Sequence, residues 1–122
     1  MKTTGPTTSI AAAILLSALA GCAAPNKGLY NWNGYQAQVY SYLKSDAPSA
    51  DEQILLLEQG VQKTAAQGAH LPPGYYAHLG LLYLNAGRTD QAITAWEQEK
   101  KIFPESTQYI DYLINNMKKN RS

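Results

Sequence analysis

A single cysteine, Cys22, stands in 122 residues. The chain therefore has no second thiol for a disulfide or redox pair and no cysteine cluster for a structural metal. It also lacks an apolar run of the roughly twenty residues needed to cross a bilayer core. Its most apolar stretch, Ile10 to Ala20, is about half that length and is followed by the loop-forming Pro25-Asn26-Lys27-Gly28. Charge is balanced, with ten Lys and Arg against nine Asp and Glu, so no basic field exists to hold nucleic acid. No segment has the alternating, β-branched pattern of strands. Catalytic constellations are equally sparse: His70 beside Leu71-Pro72-Pro73 and His78 within a helical pattern have no cysteine nucleophile, metal-ligand cluster or serine elbow to work with. We expect neither an enzyme nor a small-molecule substrate, metal or soluble cofactor.

What is present begins with a leader. Lys2, the apolar stretch and the small residues of Leu19-Ala20-Gly21-Cys22 form a secretory signal over residues 1–21. Leu-Ala-Gly-Cys resembles the lipobox of bacterial lipoproteins. That resemblance implies a diacylglycerol on the Cys22 thiol, cleavage just before it and an acyl chain on the new amino group. Each buried methylene adds about 0.8 kcal/mol, so two or three chains anchor the protein permanently. Ala23, where aspartate would favour retention at the inner membrane, implies the outer membrane, on its periplasmic face.

Residues 22–34 read as a lipidated tether, with turn formers from Pro25 to Gly34 and an embedded Leu29, Tyr30 and Trp32. The aromatics either fold back as a lid on the core or form a docking surface for a partner or for lipid headgroups. From residue 35 to 122 the pattern is helical. Tyr35, Val39, Tyr42 and Leu43 recur at spacings of three and four in a first helix ending near Lys44. Ser49 and Glu52 form a capping box for a second, with Asp51 beside the positive end of its dipole, and Gly60 inside it predicts a close helix crossing. A third follows Leu71-Pro72-Pro73, with proline in its first turn, and stops at Gly87. Thr89 or Asp90 caps a fourth, which carries an expected Glu97–Lys101 pair and ends before Pro104. A fifth starts near Ser106 and turns Tyr109, Ile110, Leu113 and Met117 to one side.

Within these helices Tyr76-x2-Leu79-Gly80-x2-Tyr83, Ala92-x3-Trp96 and Pro104 are similar to the tetratricopeptide pattern in order and spacing. The pattern implies an antiparallel hairpin in which Gly80 and Ala92 admit close approach while Tyr83 and Trp96 fill the space beside it. Glu99 departs from it, since a small alanine is usual there. A shift of 41 residues sets Tyr35 under Tyr76 and Tyr42 under Tyr83, so the first two helices read as a diverged repeat and the fifth as a cap. The expected fold is all-α: about five helices in tetratricopeptide-like hairpins after a lipoprotein signal peptide.

The whole chain resembles a family of small Gram-negative lipoproteins with a lipobox (Cys22), an early Leu-Tyr-x-Trp-x-x-Tyr stretch (Leu29 to Tyr35) and one tetratricopeptide unit (Tyr76 to Pro104). Its members tend to be encoded beside a lipoprotein similar to the curli-export pore, which implies work in an outer-membrane assembly with such an envelope partner. Tetratricopeptide stacks present a groove to a peptide, at positions that fall here on Ala77, Leu81, Leu84 and Asn85, with Tyr40, Leu43 and Lys44 as counterparts in the earlier hairpin. A protein-binding adaptor is the first expectation. The alternatives are a structural lipoprotein contacting its partners through Tyr30 and Trp32, and an envelope hydrolase.

Overall fold

A computed structural model describes residues 28–44 and 47–120; the leader and Cys22 lie outside the described residues. Among the described residues five α-helices follow one another: α1 (Tyr35–Lys44), α2 (Ala50–Ala66), α3 (Tyr75–Asn85), α4 (Thr89–Ile102) and α5 (Thr107–Asn120), with a 3-10 turn at Pro104–Ser106 before the last. The described residues contain no strand, and the fold class is all-α, as expected.

The start of α2 follows its sequence signal. Ser49 Oγ accepts from the Glu52 N–H at 3.3 Å, and Glu52 Oε2 accepts from the Ser49 N–H at 3.2 Å, so each satisfies an orphan donor of the other. The starts of α3 and α4 differ from expectation. Pro72 and Pro73 precede α3 rather than entering its first turn, and Gly74, at φ 88°, turns the chain into the helix without a side chain to cap it. Arg88 occupies the N-cap of α4 with no side-chain cap bond, leaving Thr89 and Asp90 inside the helix. Its guanidinium instead meets Asp51 at 2.7 Å, an exposed pair that adds under about 1 kcal/mol. Nor does Glu97 pair with Lys101. Lys100 faces α5, reaching Asp111 at 2.8 Å and Glu97 at 3.5 Å, and so links the two helices.

Helix α3 is the centre of the molecule. Seven of its eleven residues are buried, spread around its whole circumference, because helices cover it on more than one side. Against α4 the contact is closest: the Trp96 indole lies flush on Gly80, where a Cβ would overlap the ring, and its Nε1 donates to the Ala77 carbonyl at 3.0 Å. Ala92 is fully buried in the same interface. Against α2, the Tyr75 hydroxyl occupies the space a Cβ on Gly60 would need and donates to the Leu57 carbonyl at 2.9 Å, so the mid-helix glycine makes room for a tyrosine side chain where a close helix crossing was expected. Ile110, Ile114 and Met117 of α5 close the core beyond α4.

Helix α1 is held differently. None of its residues is fully buried, and it meets α3 through rings: Tyr35 against Tyr75 and His78 at 5.1 and 6.0 Å between centroids, and Tyr42 against His78 at 5.2 Å. Ahead of it, residues 28–34 form a strap across the end of α2. The Asn31 N–H donates to the His70 carbonyl at 2.7 Å, its Nδ2 to Gln67 Oε1 at 2.6 Å, and Asn33 Nδ2 to Thr64 Oγ1 at 2.5 Å.

Candidate partner-binding site

Glu99, the residue at odds with the tetratricopeptide pattern, organises the middle of the molecule. Its carboxylate is fully buried beneath the N-terminus of α3. Oε1 accepts from the Gly74 N–H at 2.6 Å, and Oε2 from the N–H groups of Tyr76 and Ala77 at 3.1 and 3.3 Å. The first turn of a helix has donors with no intrahelical partner and a positive dipole end, so a carboxylate from α4 caps α3 where Gly74 cannot. Burial, and then the nearby Glu99 charge, raise the Tyr35 and Tyr76 hydroxyls above the usual tyrosine range and keep them protonated.

With α3 so fixed to α4, one of its faces becomes the floor of an open trough. Tyr76, Leu79 and Tyr83, spaced three and four apart, lie along it. On the α2 side the trough encloses about 580 Å³, walled by Leu55, Glu58, Gln59 and Gln62. On the α4 side it encloses about 260 Å³, walled by Gln91, Thr94 and Gln98. The Tyr83 hydroxyl donates to Glu58 Oε1 at 2.5 Å; burial and this bond push Tyr83 up to about 12, so it remains a donor at any physiological pH. Glu58 is the one formal charge in this lining, and its carboxylate is already engaged. An apolar floor between walls in which Leu55, Val61 and Ala95 alternate with four glutamine amides suits an uncharged polypeptide segment, because each glutamine offers both a donor and an acceptor to a backbone.

The residues expected to line a groove lie elsewhere. Ala77 is buried, with its carbonyl bonded to Trp96. Leu81 and Leu84 are half-buried against the core. Asn85 donates to the Tyr42 hydroxyl at 3.2 Å, which joins α3 to α1. Tyr40 and Leu43 are exposed on α1, with the Lys44 ammonium 4.9 Å above the Tyr40 ring. Tyr30 sets its ring edge-on to Phe103 at 6.2 Å, and Trp32 stacks on Tyr35 while staying 41 % exposed. Tyr76, Leu79 and Tyr83 stood out in the sequence as packing residues; nothing there marked them as a floor. The available signal was the run of glutamines at 59, 62, 91 and 98, polar without charge on two helices.

His78 is buried with Nε2 unpartnered beside the Tyr35 and Tyr42 rings, and burial lowers its pKa below 6.5. The folded protein therefore binds this proton less readily than the unfolded chain. Stability should be unaffected by His78 above about pH 6.5 and should fall as pH drops below it, until the folded pKa is passed. Urea titrations from pH 7.5 to 5 should show a declining midpoint, with a shallower decline in His78→Phe. Equal slopes would remove His78 from the account.

Among the described residues no three His, Cys, Asp or Glu side chains are grouped to hold a metal, and no helix is long and apolar enough to cross a membrane. A family model described as a domain of unknown function, DUF4810, matches residues 29–113. No curated protein and no solved structure matches the chain.

Proposed function

The chain belongs to the DUF4810 family, and from that premise we propose that it is a lipid-anchored outer-membrane lipoprotein acting as a protein-binding adaptor in an envelope assembly. The observation that carries this reading is the trough, with its floor of Tyr76, Leu79 and Tyr83 and its glutamine-bearing walls. We read α3 and α4 as one tetratricopeptide unit, supported by the Trp96–Gly80 contact, the buried Ala92 and the break at Pro104. The trough takes an uncharged segment of a neighbouring envelope protein, for which a lipoprotein similar to the curli-export pore is the first candidate. Acylation of Cys22 confines adaptor and partner to one surface, so a modest affinity suffices through effective concentration. A hydrolase reading has only His70 and His78 to draw on, the first exposed and the second enclosed by tyrosines.

Leu55 and Thr94 lie on opposite walls and are both exposed, so Leu55→Lys and Thr94→Arg should leave melting unchanged while placing charge in the trough. We expect the double variant to bind the candidate partner at least tenfold more weakly in a reconstituted membrane, a loss of about 1.4 kcal/mol. A photo-crosslinker at position 55 or 94 should label the partner. Undiminished binding by the folded double variant would remove the trough as the binding surface.

A further inference from the structure

The segment from Gly28 to Lys44 is unlike the rest of the molecule. Among the described residues it supplies four of the nine exposed large apolar side chains, Leu29, Trp32, Tyr40 and Leu43, so exposed apolar surface is concentrated there. Leu29 is 76 % and Leu43 72 % exposed. The segment holds a single formal charge, Lys44, and that charge is positive. Helix α1 buries no residue completely: Tyr35 and Tyr42 rest on α3, whereas Tyr40, Leu43 and Lys44 project from its other side. Tryptophan, tyrosine and leucine with a flanking lysine, and no acidic group, match the interfacial region of a bilayer, where amphipathic rings settle and a cation meets phosphate.

The length of the intervening chain says which surface is in reach. Only six residues lie between Cys22 and Leu29, so even fully extended the seven steps from one to the other place Leu29 within about 25 Å of the acylated sulfur. Strap hydrogen bonds to His70 and Gln67 then carry that constraint to the end of α2.

We propose that the exposed side of α1, together with Leu29 and Trp32 of the strap, rests in the headgroup region of the membrane that holds Cys22. The domain is then laid on the bilayer in one orientation instead of swinging from a tether, and the trough is presented at a set height to a partner on the same membrane. This rests on the lipid-anchor reading of Cys22.

Trp32 reports on the contact directly, because the other tryptophan, Trp96, is fully buried. The full lipidated protein, reconstituted in phosphatidylcholine–phosphatidylglycerol vesicles brominated at a shallow acyl position, should lose roughly half or more of its Trp32 emission, measured as the difference from Trp32→Phe. Tyr40→Glu with Leu43→Glu should restore that emission while the protein stays on the vesicles through its acyl chains, and Leu55→Lys should leave the quenching unchanged. Mass spectrometry of the same sample separates the two readings. An acylated chain whose Trp32 is unquenched overturns the membrane-facing helix alone, and a bare Cys22 thiol overturns the anchor and this proposal with it.

Discussion

Replacing Glu99 by alanine is expected to destabilise the domain by roughly 3–4 kcal/mol, because three backbone donors lose a charged acceptor that water cannot replace in a fully buried site. For a domain of this size that is a large share of the total, and it should lower the melting temperature by about 15 °C. Glu99→Gln keeps one acceptor oxygen and relieves the cost of burying a charge, but its NH2 turns a donor toward the remaining backbone N–H, so it should lose less than alanine, about 2 kcal/mol. Calorimetry of the two variants tests the assignment by their ordering. If alanine and glutamine were equally mild, the carboxylate would not be holding the start of α3, and the register of the trough floor would need another cause.

Trp96→Ala should cost roughly 4 kcal/mol, through loss of a fully buried ring and of its bond to the Ala77 carbonyl. The more discriminating experiment is reciprocal. On propensity alone Gly80→Ala should stabilise α3 by about 1 kcal/mol. Here the added methyl would overlap a rigid indole, so the substitution should instead destabilise by roughly 2 kcal/mol. In a Trp96→Leu background the obstacle is gone and the same change should become neutral or favourable, a coupling of about 2–3 kcal/mol in a double-mutant cycle. Additive effects would mean that the two residues do not share one contact.

These two sites differ in how readable they were. Tight packing at Gly80 was legible because a glycine within a helix, set in a fixed spacing of aromatic and small residues, has few uses other than close approach; its occupant was not, since a neighbouring backbone was expected there and the Trp96 ring takes the place. Glu99 was legible only as an anomaly: its partners, Gly74, Tyr76 and Ala77, lie more than twenty residues earlier, and no local pattern records that two helix ends meet. The helix starts divide in the same way. The capping box of α2 is a local device, and it formed. The caps expected for α3 and α4 assumed a proline or a hydroxyl acting within its own turn, whereas Glu99 and the Arg88–Asp51 pair act between helices.

By itself the sequence determined the five helices and their approximate ends, because those follow from periodicity and turn chemistry, but not every contact face, since Leu43 and Tyr109, expected on apolar faces, are exposed. Only tertiary structure decided which face of α3 stays open. Leu79 and Tyr83 on that face are themselves buried, so only the gap left between the flanking helices borders solvent, and its width depends on how all of them pack at once. Tyr76, Leu79 and Tyr83 could therefore be recognised as core-type residues in the chain, and became a trough floor only when α2 and α4 stood apart on either side of them.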